Sequence, residues 1–128
     1  MKGLYHYTTR VENCIFCKIV KKELPAKIEF EDDEILAIHD INAKAPIHIL
    51  IMPKKHIQNL SKVEESDLNL IGKINLTAAK IASNLGIPDQ FKLTTNNGDL
   101  AGQVVMHLHY HLLGGWSTKE EVVSELKQ

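Results

Sequence analysis

His107-Leu108-His109-Tyr110-His111-Leu112-Leu113 is the stretch that decides how the chain is read. Three of the seven histidines fall within five residues, each separated from the next by a residue that can pack in a core. Successive side chains of a β-strand point to opposite faces. The spacing therefore predicts a strand with His107, His109 and His111 on one face and Met106, Leu108, Tyr110 and Leu112 packed into a core on the other. At a rise of roughly 3.3 Å per residue, neighbouring histidines stand about 6–7 Å apart and the outer two about 13 Å. One small ion does not easily reach all three, whereas a phosphate-sized group can touch two and leave the third for another task. Neutral imidazole is a good nucleophile near pH 7, and its second nitrogen can be locked by a hydrogen bond. Three imidazolium ions side by side would repel, so at least one ring is expected to rest neutral. A single strand histidine reads as an ordinary core or surface residue. Three ionisable rings on one face, where apolar residues pack better, need a functional reason.

The loop just upstream, Asn96-Asn97-Gly98-Asp99-Leu100-Ala101-Gly102-Gln103, strengthens that reading. Gly98 and Gly102 permit backbone angles closed to other residues and allow a ligand to approach the main chain. Successive N–H groups in such a loop form an anion nest. Most Gly-rich polar loops are simply turns, but one that feeds three co-facing histidines can cradle a phosphate against an imidazole.

Further out, hydrophobic periodicity places the remaining elements. Ile15, Phe16, Ile19 and Val20 suit a short helix over 14–22, and Pro25 punctuates it. Strands are predicted over about 27–31 and 35–39, joined at Asp32-Asp33 as a hairpin. A loop over 40–46 leads to a strand over 47–52 that ends at Pro53. Ser61-Lys62-Val63-Glu64 has capping-box spacing, and Ile71, Ile74, Ala78, Ile81 and Leu85 recur three and four apart as on an amphipathic helix. Gly86 and Pro88 end that helix, a strand follows over about 90–95, and Gly114-Gly115 closes the histidine strand. Ser117-Thr118-Lys119-Glu120 can cap a C-terminal helix running to Leu126. No repeat or linker is visible. The expectation is one α+β domain over 1–128 with a mainly antiparallel sheet, its core at about 13–115, an N-terminal arm over 1–12 and an extension over 116–128.

Composition narrows the function classes. In 128 residues, 44% hydrophobic, one real core can form. Fifteen basic against 16 acidic side chains leave a net charge of −1, which gives no electrostatic support for nucleic-acid binding. No apolar run is long enough for a membrane span, and residues 1–10 lack the apolar core of a signal peptide, so the cytoplasm is the expected location. There, Cys14-Ile15-Phe16-Cys17 reads as two thiols or as metal ligands rather than a structural disulfide. His-x-His on a strand is also a two-ligand unit for zinc, so a metal site remains a rival use of these residues.

The histidine stretch resembles the signature of the histidine triad (HIT) family, His-φ-His-φ-His-φ-φ with φ apolar. The run Ala45-Pro46-Ile47-His48-Ile49-Leu50-Ile51-Met52-Pro53-Lys54-Lys55-His56-Ile57 resembles the upstream strand of the family's Hint-like branch. Glu29 through Asp33, His39-Asp40-Ile41 and Ala101-Gly102-Gln103 fit as well, so the likeness covers about 13–115. It implies a five-stranded, mainly antiparallel sheet with one long and one or two short helices, and a homodimer sharing one continuous sheet. It implies cleavage of purine nucleoside 5′-phosphoramidates, typically AMP conjugates. By position His109 would be the nucleophile forming a nucleotidyl-histidine, with His111 and His48 on the phosphate and leaving group. Asp40 would hold the ribose hydroxyls. Asn96 and the backbone of Gly102, Gln103 and Val104 would hold the phosphate. Ile15, Phe16, Ile19, Ile38, His39, Ile41 and Leu50 would line the base and ribose pocket. Cysteine-bearing members hold a structural zinc, here through Cys14, Cys17, His56 and His107, while catalysis needs no cofactor. A dinucleoside polyphosphate hydrolase and a nucleotide-binding adaptor are the alternatives. Two features depart from the pattern: Val104 stands where this branch commonly carries Ser or Thr, and the stretch from Trp116 onward has no counterpart.

Overall fold

A computed structural model describes residues 13–126; the arm expected over 1–12 lies outside the described residues. In chain order the elements are α1 (Ile15–Val20), β1 (Ile28–Glu31), β2 (Ile35–His39), β3 (Ile47–Pro53), α2 (Leu68–Asn84), β4 (Phe91–Thr94), β5 (Tyr110–Gly114) and α3 (Lys119–Leu126). Short 3₁₀ turns lie at Leu60–Lys62, Glu65–Asp67 and Asp99–Ala101. The strands form one sheet in the order β1-β2-β3-β5-β4, every neighbouring pair antiparallel. This is the α+β architecture the pattern predicts. No described helix is long and apolar enough to cross a membrane.

Local chemistry explains the connections. Asp32 Oδ1 accepts from the backbone N–H groups of Glu34 and Ile35, both at 2.8 Å, and this turns β1 into β2. At the end of α2, Gly86 takes φ +83°. Gly86 N–H then reaches the Ser83 carbonyl (3.1 Å) and Ile87 N–H reaches Ala82 (2.9 Å), a Schellman closure. The capping box expected at Ser61–Glu64 does not form. Asn59 instead caps the first 3₁₀ turn, with its Oδ1 accepting from both Ser61 N–H (2.9 Å) and Ser61 Oγ (2.6 Å). The box falls three residues later, where Asp67 accepts from Glu64 N–H at 3.0 Å and ties Lys55 at 2.7 Å. At the C-terminal helix, Glu121 accepts from Ser117 and Thr118 N–H at 3.1 Å each, one residue beyond the expected Glu120.

The sheet is covered on both faces, and strand alternation decides what goes where. Ile35, Ala37, Ile49 and Ile51 pack with Ile74, Ala78 and Ile81 of α2 and with Leu108, Tyr110 and Leu112. Leu36, Ile38, Leu50 and Met52 face the other way, toward Cys14, Phe16, Cys17 and Ile19 on and beside α1. The histidines lie on the α1 side. Two expectations about their strand need correcting. Ladder pairing starts only at Tyr110, so His107 and His109 sit in the extended approach to β5 rather than within it. Met106 is 37% exposed and not in the core, because His107 N–H turns back to the Val105 carbonyl (2.9 Å) and breaks the alternation there.

Candidate active site

Register brings the first three polar groups together. Leu50 of β3 pairs with His111 of β5, so His48, two residues along β3, is a diagonal neighbour of His111 on the same face. His48 Nε2 and His111 Nδ1 are 2.9 Å apart. Asp40 leaves β2 with its N–H on the His48 carbonyl (3.0 Å), which holds Oδ2 3.3 Å from His48 Nε2. Its Oδ1 accepts from Asn42 N–H at 2.8 Å.

Backbone groups then dictate where the ring protons sit. Lys44 N–H donates to His48 Nδ1 (3.0 Å), so that nitrogen must be bare and the His48 proton resides on Nε2. Nε2–H in turn donates to His111 Nδ1, which leaves the His111 proton on its own Nε2. His109 runs the other way. Its Nδ1 donates to the His107 carbonyl (2.7 Å), so its Nε2 carries a lone pair. The His109 ring is 7% exposed and meets His111 at 5.1 Å and Phe16 edge-on at 5.0 Å between centroids. Thr95 Oγ1 donates to the His109 carbonyl (2.8 Å). The constellation is thus one bare imidazole nitrogen beside one imidazole N–H.

Burial favours the neutral form of His109 and His111. It lowers the His109 pKa, opposed by the bond to the His107 carbonyl and by Asp40. His111 is brought down to about 4, first by burial and then by the neighbouring His109 and His48 rings, against the pull of Asp40. An imidazole at His109 that is unprotonated at neutral pH is the consequence.

Around the rings, Phe16, Ile19, Ile38 and Leu50 come together in one buried cluster. Ile15 (52% exposed) and Ile41 (95%) stand outside it, and His39 is held by Glu29 at 2.8 Å. In the polar loop, Gly102 takes φ +90° and its carbonyl lies 3.4 Å from Asn96 Nδ2. The Gln103 side chain points inward as a brace. Its Oε1 accepts from Gly98 N–H (2.7 Å), and its Nε2 donates to Gln58 (2.7 Å) and Val105 (3.1 Å) carbonyls. Its backbone N–H donates to the Gly98 carbonyl (3.0 Å) and that of Gly102 to the Asp99 carbonyl (3.0 Å), so both expected donors are engaged within the loop. Val104 is 87% exposed.

A second cluster adjoins the first. Cys14 Sγ lies 3.3 Å from His107 Nδ1, and Cys17 Sγ lies 3.5 Å from the same atom and 3.2 Å from His56 Nδ1. The two Nδ1 atoms are 3.2 Å apart, and all four donor atoms lie within 4.8 Å of one another. Zinc bonds of about 2.3 Å to sulfur and 2.0–2.1 Å to nitrogen give tetrahedral edges of about 3.3 Å for N–N and about 3.6 Å for S–N. The donor set fits a metal of that kind. His107 Nε2 donates to the Pro53 carbonyl (2.8 Å), which leaves Nδ1 bare and aimed at the cluster. Burial lowers the His107 pKa to about 4 and pushes the Cys17 thiol up to about 12, so a bound cation displaces a thiol proton but none from this imidazole.

The groups that sequence patterns did not single out are mostly main-chain ones: Lys44 N–H and the carbonyls of Pro53 and His107. A residue letter carries no signal for a peptide group. Thr95 and the Glu29 partner of His39 were also not singled out; only β4 and β1 register would have found them.

Comparison with known proteins adds an independent line. The sequence model of the HIT domain matches residues 21–118. An uncharacterized HIT-like protein of Synechocystis is 49% identical over 104 residues, which covers 81% of this chain and 91% of that protein. The crystal structure of a HIT family hydrolase from Legionella pneumophila superposes with a TM-score of 0.80 at 44% identity, covering 82% of this chain and 95% of that one. A HIT family hydrolase from Clostridium thermocellum gives 0.80 at 50% identity, covering 84% and 94%.

Proposed function

Because the chain belongs to the HIT domain family, and its solved relatives include hydrolases, we propose that this hydrolase-type enzyme cleaves purine nucleoside 5′-phosphoramidates through a nucleotidyl-histidine. The observation that carries the reading is the proton arrangement. His109 presents a bare Nε2 because its Nδ1–H is held by the His107 carbonyl, and His111 presents Nε2–H because His48 fills its Nδ1.

In the first step His109 Nε2 attacks the α-phosphorus. The new P–N bond forms as the bond to the amine breaks, and the amine leaves carrying a proton. In the second, water attacks the same phosphorus and returns a proton to His111, the histidyl P–N bond breaks with its electron pair going back to His109 Nε2, and the nucleoside monophosphate departs. Both steps break a labile P–N bond, the first once the amine nitrogen is protonated and the second because Nδ1–H lets His109 leave as neutral imidazole, so covalent catalysis divides one displacement into two of similar difficulty. His111 is the proton donor on the leaving-group side, oriented by His48. A phosphate beside the His48–His111 pair adds negative charge and favours uptake of one proton by the pair, the proton that passes to the amine and is regained from the attacking water. Asp40 accepts from Asn42 N–H at Oδ1 and has Oδ2 3.3 Å from His48 Nε2, which leaves lone pairs to accept from ribose hydroxyls. Asn96 and the Val104 N–H hold the phosphate, the Gly102 and Gln103 N–H groups being bonded to the Asp99 and Gly98 carbonyls, and Phe16, Ile19, Ile38, His39 and Leu50 flank the nucleoside. Ile15 and Ile41, exposed at the rim, close on the base from outside.

Cys14, Cys17, His56 and His107 would hold a zinc ion, closed by four ligands and therefore structural. It clamps α1 to the approach to β5 and leaves the displacement to the histidines. A second copy of the chain would pair along β4, an edge strand of the sheet that is open to another strand; a monomer in size-exclusion light scattering would refute that pairing.

Hydrolysis of an adenosine phosphoramidate by wild type and His109→Ala tests the reaction. The expected result is turnover by wild type that falls by several orders of magnitude in the variant. Wild type that binds AMP and turns over no phosphoramidate would overturn the proposal and leave a binding protein.

A further inference from the structure

The Cys/His cluster and His109 are joined through three contacts. The first is the His107 peptide. Its carbonyl accepts from His109 Nδ1 (2.7 Å), while the N–H on the same peptide plane, that of Leu108, donates to the Ile57 carbonyl (2.6 Å) beside His56. The second is the His107 ring, fully buried and gripped at both ends, by the cluster at Nδ1 and by the Pro53 carbonyl at Nε2 (2.8 Å). The third is Phe16. It stands between Cys14 and Cys17 in the first turn of α1, is 6% exposed, and meets His107 edge-on at 6.0 Å and His109 at 5.0 Å.

From this arrangement we propose that the cation-loaded cluster is the positioning frame of His109, with Phe16 as the positioning residue that links the two. The inference rests on the reading of His109 as the nucleophile. A cation fixes His56 and His107 relative to each other, and so fixes the peptide plane between Ile57 and His109. The carbonyl of that plane selects the Nδ1–H tautomer and aims the bare Nε2. Without the cation, the Nδ1 end of the His107 ring keeps only the weak hydrogen bonds of the Cys14 (3.3 Å) and Cys17 (3.5 Å) thiols. The plane can then rotate, the Nδ1–H bond is lost, and the other tautomer and ring angles are populated. A misplacement of about 1 Å at a reacting atom costs roughly 10²-fold in rate.

The test compares loaded protein, protein stripped by a chelator, and stripped protein refilled with Zn²⁺ or Cd²⁺. Side-chain nitrogen NMR of ¹⁵N-histidine-labelled protein, recorded without nucleotide, reads the His109 tautomer directly. The expected result is one Nδ1–H tautomer when loaded and a mixture when stripped. Turnover of an adenosine phosphoramidate should fall about 10- to 100-fold in kcat with KM within about threefold, and both metals should restore it equally. An unchanged His109 tautomer in folded, stripped protein would overturn the proposal. If the stripped chain unfolds, loaded Phe16→Leu decides: a retained metal with a mixed His109 tautomer supports the frame, and wild-type signals refute it. Should the loaded wild type turn over no phosphoramidate, the reaction reading fails while the NMR comparison still decides the positioning.

Discussion

Replacing Gln103 by leucine tests whether the phosphate loop is held in place by one buried amide. Gln103 is 2% exposed and satisfies three main-chain groups: Gly98 N–H at 2.7 Å, Gln58 carbonyl at 2.7 Å and Val105 carbonyl at 3.1 Å. Leucine has nearly the same volume, so no cavity is created and the loss is that of the three hydrogen bonds. At about 1 kcal/mol each the variant loses about 3 kcal/mol, a sizeable share of the 5–15 kcal/mol typical of a domain. With a urea slope of about 1.5 kcal/mol per M, the unfolding midpoint falls by about 2 M. The same change frees the loop that carries Asn96 and Gly102, so AMP binding should weaken beyond any effect on folding. Gln103→Glu sharpens the test. It keeps an acceptor for Gly98 but sets a carboxylate against two carbonyl oxygens, so it should be at least as unstable near pH 7 and recover as acid restores a donor. A Gln103→Leu midpoint that implies less than about 0.5 kcal/mol of destabilisation would refute the reasoning.

Three other outcomes are expected. Val104→Ser restores a hydroxyl at a position 87% exposed, so the melting temperature should not move. If the hydroxyl contacts charge in the transition state, kcat/KM for a phosphoramidate should rise about 10- to 100-fold, the worth of roughly 1.5–3 kcal/mol. The His111 pKa, lowered by burial from 6.5 to about 4, makes the unfolded chain bind more protons across that window. The stability from this ring is therefore complete above about pH 6.5 and is lost as pH falls toward 4, and His111→Phe should flatten that part of a pH–stability curve. At Gly114 a Cβ would meet Ile87 Cδ1 at 2.5 Å and the Gln90 carbonyl at 3.1 Å. Ile87 can swing aside but the carbonyl cannot, so Gly114→Ala should cost about 1–3 kcal/mol by thermal or urea unfolding.

Much of the fold was legible because it is written in periodicity. The three-and-four spacing from Ile71 to Leu85 marks the long helix, and apolar runs bounded by turn residues mark Ile35–His39 and Ile47–Pro53, strands buried on both faces. The errors fall where two local signals compete. Ser61 and Asn59 both offer a capping oxygen, and Asn59 wins, being extended and first in the chain. Met106 continues the alternation of the histidine stretch in sequence, yet the Val105–His107 turn removes it from the strand. Pattern reading assumes that an alternating run is one straight strand, and a single short-range hydrogen bond is enough to break that assumption.

The site divides along a different line. Which side chains gather was readable: His48, His109 and His111 in one cluster, Cys14, Cys17, His56 and His107 in the other. What those rings can do was not, because the chemistry of an imidazole depends on which nitrogen holds the proton. Here that choice is made by Lys44 N–H, by the His107 carbonyl and by the Pro53 carbonyl, groups that every residue type supplies. Sequence can place an imidazole at a position, while only the folded backbone can make it a nucleophile or a donor. One extended segment, the approach to β5 and the first pairs of its ladder, thus yields opposite outcomes two residues apart. His109, turned toward a carbonyl, exposes a lone pair, and His111, turned toward His48, exposes an N–H. A bond-breaking site needs both, and an extended chain supplies them two residues apart, the rings 5.1 Å between centroids, without any change of residue type.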